Sequence, residues 1–178
     1  MDFWDFAVPV IVVFGHNTLL FFWCQKKKDN SYIDVFWGLT MLFPILALFV
    51  KKYIDGTPPD ARSWLALIMV GIWSIRLAWH IGARHTKEDF RYVDMRNRWM
   101  ENGQFGYYWR AFLYVFMLQG LFSLIVNSAA LYTVIYSENN IVTWLDVVGL
   151  MVWTIGFAIE WVGDEQLKRH LADKTPGK

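Results

Sequence analysis

Residues 111–137 read AFLYVFMLQGLFSLIVNSAALYTVIYS, 27 positions without a formally charged side chain. A hydrocarbon layer of about 30 Å is crossed by about 20 helical residues, so this run is long enough to span with some tilt. It is not alone. Working outward, apolar helices are expected over about 6–24, 32–52, 62–84, 108–137 and 141–170, with a connection rich in charged and aromatic residues at 84–109. The chain is 56% hydrophobic and 19% aromatic, with 11 Trp, and tryptophan favours the boundary between hydrocarbon and water. The expected fold is all-α: a polytopic membrane protein of about five transmembrane helices, read as a single domain over 1–178.

Charge gives an orientation. The connections after the first, third and fifth helices carry Lys26, Lys27, Lys28, Arg84, Lys87, Arg91, Arg96, Arg98, Lys168, Arg169, Lys174 and Lys178, twelve against Lys51, Lys52 and Arg62 on the other side. Basic residues stay preferentially on the cytoplasmic side, so the N-terminus is expected outside and the C-terminus inside. With 17 Lys and Arg against 16 Asp and Glu, no basic patch suits nucleic acid. The single cysteine, Cys24, has no partner for an internal disulfide.

Ionisable and polar groups within the spans narrow the search, because each is costly in lipid and faces protein or water. Arg76, His80 and Arg84 recur every four residues and share one face of the third helix. Arg76 is read as an anion contact or as a structural partner of Asp34 or Glu160. Asp34 stands at the start of the second helix, where a carboxylate caps free amides. Glu160 and Asp164 share a face of the fifth helix. Gln119 and Asn127 are expected to make interhelical hydrogen bonds. Pro9 and Pro44 are expected to kink or shorten their helices. Asp60 or Ser63 is expected to cap the third helix. His16, His80, His85 and His170 form no recognisable metal set, and phosphate-loop, CxxC and HExxH patterns are absent.

Four stretches, SYIDVFWG (31–38), VGIWSIRLAWHIGARHTKEDFRYVDMR (70–96), FMLQGLF (116–122) and GFAIEWVGDEQLKR (156–169), together resemble the steroid 5-alpha-reductase-like superfamily. The resemblance is to its broad branch carrying the reductase-type C-terminal domain. It implies a bundle of about seven helices, often of the endoplasmic reticulum, binding NADPH from the cytosolic side to reduce an activated carbon–carbon double bond. By the same resemblance Arg84, Glu88, Asp89, Arg91, Tyr92, Glu160, Asp164 and Gln166 would surround the cofactor. The family pattern continues past a basic turn, here Lys174 to Lys178, into an Arg-His-Pro-Asn-Tyr-type motif and further helices, which this sequence does not carry.

The expectation is therefore a non-catalytic, reductase-like accessory subunit of a larger membrane complex, with membrane lipids and other membrane subunits as partners. A respiratory complex of the mitochondrial inner membrane is one such setting. No cofactor is expected in this chain by itself. The alternative is a truncated or split NADPH-dependent reductase of sterol- or enoyl-type lipids, with NADPH bound once the missing part is supplied.

Overall fold

The computed structural model describes residues 2–138 and 141–173. All regular structure among them is helical, and five helical stretches are long and apolar enough to cross a membrane: Phe3–Lys27, Tyr32–Ile54, Ala61–Gly82, Gly103–Val126 and Trp144–His170. The protein is an all-helical membrane protein. Two compact units, Met1–Asn140 and Ile141–Lys178, are described separately. The turn expected at SENN includes Asn139 and Asn140, and the basic turn is Lys174 to Lys178; these lie outside the described residues.

In the first unit, α1 (Phe3–Lys27) begins with a reciprocal cap, the Asp2 carboxylate accepting from the Asp5 amide and the Asp5 carboxylate from the Asp2 amide. This satisfies amides that have no partner in the first turn. It ends at Lys28 in a left-handed conformation, φ 56°. After a short turn, α2 (Tyr32–Ile54) runs back and packs against α1 on one side and α3 (Ala61–Gly82) on the other. The Asp60 carboxylate caps α3 by accepting from the Ser63 amide at 2.9 Å. Pro9 and Pro44 lie buried inside uninterrupted helices; packing on neighbouring helices holds the backbone where proline removes a bond.

The 84–109 connection is mostly ordered as two short helices, α4 (Phe90–Met100) and α5 (Gly103–Arg110). Its aromatic residues give these helices an apolar face: Tyr92 and Tyr107 are buried with Leu20, Phe21, Ile33 and Phe116 in one core cluster. The Asp89 carboxylate caps α4 by accepting from the Arg91 amide. The long apolar run that follows is not one regular α-helix. It opens with a π-helical segment, Ala111–Met117, continues as α6 (Leu118–Val126), turns at Asn127 and resumes as α7 (Ser128–Tyr136). The interruption at Asn127 has a physical reason: its buried side-chain amide donates to the Met41 carbonyl at 2.9 Å, tying this turn to α2.

Close approach needs small residues here, because helices in lipid associate through packing and hydrogen bonds. A Cβ on Gly38 would stand 2.8 Å from the Ser74 carbonyl oxygen on α3, and one on Gly120 would stand 2.9 Å from Asn17 Nδ2 on α1. A second core cluster, Ile45, Leu48, Phe49, Leu131 and Val134, joins α2 to α7. The second unit consists of α8 (Trp144–Asp173), whose start is stabilised by Thr143 donating through its amide and hydroxyl to Asp146.

Candidate functional site

Polar side chains converge where the α1–α2 turn meets α4 and α5. Lys28 cannot extend α1 in its left-handed conformation, so its carbonyl turns outward and accepts from Arg96 Nη2 at 2.7 Å. The same guanidinium pairs with Glu88 at 2.5 Å. Glu88 in turn accepts from the Asn30 amide at 2.8 Å. Asn30, only 2% exposed, donates through its side chain to the Tyr107 hydroxyl at 2.9 Å, which donates to Gln25 at 3.0 Å. A buried turn thus has its backbone and side-chain groups satisfied by three different helices, as low-dielectric surroundings demand.

Beside it lies a second network. Asp34 does not cap α2; its two carboxylate oxygens accept from the Tyr92 hydroxyl at 2.8 Å and from Arg91 Nη2 at 3.1 Å. The first-turn position of Asp34 leaves its side chain on the face that meets α4, and the N-cap place is taken by Ser31. Arg91 also grips Asp89 through Nε at 3.0 Å and Nη2 at 3.1 Å. Ser31 joins this network to Asp29, its hydroxyl accepting from the Asp89 amide at 3.2 Å and donating to Asp29. His85 meets Asp29 at 2.9 Å and stacks at an angle on Tyr32.

The electrostatics follow from these contacts. Hydrogen bonds from Arg91 hold the Asp89 carboxyl below its ordinary 3.8, and Asp89 raises Arg91 above its ordinary value. Burial, with the neighbouring Asp34 carboxylate, pushes the Tyr92 phenol well above its ordinary 10.0. Tyr92 is therefore a fixed proton donor at neutral pH.

Of the residues singled out from sequence, Asp34, Glu88, Asp89, Arg91 and Tyr92 come together here. Arg84 lies at the edge, its Nε donating to the His80 carbonyl at 3.3 Å. Arg76 and His80 remain on α3. Asp34 is engaged by Tyr92 and Arg91 of α4. Gln119 is half-buried and makes no hydrogen bond among the described residues, whereas Asn127 bonds across to α2 as expected. Glu160, Asp164 and Gln166 lie on α8 in the second unit. Sequence reasoning did not assign Gln25, Asn30, Arg96 or Tyr107 to the site. No periodicity relates positions 30 and 107, so only the fold brings them together.

The family described as "Protein of unknown function (DUF1295)" matches residues 20–177, nearly the whole chain. The chain belongs to this family. Its match includes both networks, the π-helical segment and α8. No curated protein and no solved structure matches the chain.

NADPH is the group that the resemblance implies for this cluster. A pyrophosphate needs convergent donors. Here Arg91 and Arg96 are engaged by Asp34, Asp89 and Glu88 of their own chain, and Asp29 is met by His85. Three carboxylates already occupy the two guanidiniums, which leaves neither open to a phosphate, so these residues do not fit that group in this arrangement. No cluster of histidine, cysteine and acidic residues among the described residues suits a metal ion.

Proposed function

We propose that this DUF1295 protein is a reductase-like membrane scaffold, a non-catalytic subunit that associates with lipids and other membrane subunits. The observation that carries this reading is the closure of the Arg91 and Arg96 networks. Both guanidiniums are spent on Asp34, Asp89 and Glu88, so their donors fasten α4 to the α1–α2 turn. The Arg96–Glu88 pair is largely shielded and the Arg91 pairs are more exposed; a shielded ion pair with satisfied hydrogen bonds serves to hold one geometry more than to add stability. A scaffold needs that fixed geometry. The basic side of the chain faces the cytosol or the mitochondrial matrix, with the endoplasmic reticulum or the mitochondrial inner membrane as the host.

The test is native mass spectrometry of the full chain extracted gently from its own membrane. The scaffold reading expects co-purifying membrane subunits and lipid without a dinucleotide. Stoichiometric NADPH would overturn it.

A second reading, an NADPH-dependent reductase of steroid 5-alpha-reductase-like descent, is favoured by one specific fact: Glu88, Asp89, Arg91 and Tyr92, matched by the resemblance, gather at one end of the first unit with Asp34. In that case Asp89→Asn, which leaves Arg91 held by Asp34 alone, would change NADPH affinity severalfold in a fluorescence titration. An unchanged titration, or none at all, would return the cluster to its fastening role.

A further inference from the structure

A histidine sits at the centre of the first candidate span. His16 lies midway along α1, remote in sequence from the polar cluster at the α1–α2 turn. Beside it, Asn17 is 0% exposed, and its side-chain amide donates to the Phe116 carbonyl at 2.8 Å. Phe116 belongs to the π-helical segment, where widened helical bonding leaves carbonyls available to outside donors. That bond fixes the Asn17 amide, because a flipped amide would set two oxygens face to face. Asn17 Oδ1 therefore points the other way, to His16 Nδ1 at 3.2 Å. An amide oxygen only accepts, so Nδ1 must carry the proton. Thr40 is compatible: its hydroxyl lies 3.1 Å from the Phe36 carbonyl and 3.4 Å from Asn17 Oδ1, and donating its one proton to either oxygen leaves its own oxygen to accept from His16 Nδ1 at 3.2 Å.

The tautomer of His16 is thus set, and in the neutral ring Nε2 is a bare lone pair. Nε2 has no protein partner among the described residues, and the ring is half-buried. Phe43 meets the imidazole edge to face at 5.0 Å, and Phe36 lies at 6.3 Å. An acceptor in the middle of a span, bordered by aromatic rings, suits a donor that dissolves in lipid and has a flat apolar body.

We propose that His16 Nε2 accepts a hydrogen bond from a lipid-soluble phenol bound against α1 and α2, and that Asn17 is the positioning residue that keeps this nitrogen unprotonated. A phenolic hydroxyl is a stronger donor than an aliphatic one, and its ring packs on Phe36 and Phe43. This goes beyond the scaffold reading and stands on different residues.

The test is nitrogen NMR of the full chain, labelled with 15N-histidine, in phospholipid nanodiscs, with His16→Gln identifying the resonance. The expected spectrum shows His16 as the Nδ1–H tautomer. Titration with 2,3,5-trimethylphenol should shift Nε2 saturably, and its methyl ether should not. Asn17→Leu should turn His16 into a tautomer mixture and weaken the response at least severalfold. Gly120→Ala, which displaces the Asn17 amide, is the second variant should the first fail to fold. An Nε2–H tautomer in the unaltered chain, equal responses to phenol and ether, or saturation by cholesterol but not the phenol would each overturn the proposal.

Discussion

Lys28 shows how a single residue can be held against its preference. A side chain with φ 56° costs roughly 1–2 kcal/mol relative to right-handed backbone, and the Arg96 bond to its carbonyl holds it there. Lys28→Gly should therefore raise stability by about 1 kcal/mol in reversible detergent unfolding, with the Arg96 contact retained. The opposite is expected of Arg96→Ala. It leaves Glu88, whose side chain is 9% exposed, as a nearly buried charge without its cation, a change that costs about 3–5 kcal/mol in buried pairs. Acid should loosen the neighbouring network. Asp89 has a carboxyl held below its unfolded value by Arg91, so its stabilising contribution is fully present above about 3.8. It is lost as pH falls through the lower folded value. A thermal-unfolding series should show this loss at the acid end, and Asp89→Asn should remove that part of the pH dependence. The sequence supplied Glu88, Asp89, Arg91 and Tyr92 as a group because they are neighbours in one motif. It could not supply Asn30 or Tyr107, whose partners are 58 and 77 positions away.

At the scale of elements, apolar length was enough to locate the spans. Five apolar runs became five candidate membrane helices, since run length and hydropathy alone decide whether a segment can satisfy its backbone in lipid. Local departures were hidden for an equally physical reason. A π-helical turn and an αR break have no composition of their own; they arise from what packs alongside, here Asn17 and Met41. The expected loop at 84–109 concealed α4 and α5 because its charge obscured the apolar face carrying Tyr92 and Tyr107. Packing between α2 and α3 can be tested through glycine. Gly38→Ala puts a methyl against the Ser74 backbone, while Gly71→Ala meets only Leu42 at 3.8 Å, an ordinary contact. The first should cost about 1–3 kcal/mol, as overpacking does. The second should be neutral or slightly stabilising, as glycine in a helix interior is disfavoured, and paired unfolding curves would separate them.

For the whole molecule, the basic asymmetry makes a topology prediction. Cys24 is the single cysteine and is fully buried, so an impermeant thiol reagent should leave the unaltered chain unlabelled. Lys27→Cys should label from the cytosolic or matrix face, and Thr57→Cys from the opposite face. Reversed labelling would overturn the orientation. Both faces are tied down by charge. The turn opposite the polar cluster has Lys51 among Asp2, Asp5 and Asp55, and Ser137 hydrogen-bonded to Asp60. The π-helical segment has a consequence for how this chain tolerates changes in length. A π turn accommodates an extra residue within an α-helix. One residue lost from the regular helix that follows would rotate everything beyond by about 100°, whereas deleting one residue between Ala111 and Met117 lets the segment rewind to α with the phase beyond it kept. Gly120 would then keep its place beside Asn17. The segment is thus slack in the register: a one-residue deletion there should be less damaging than the same deletion within Leu118–Val126.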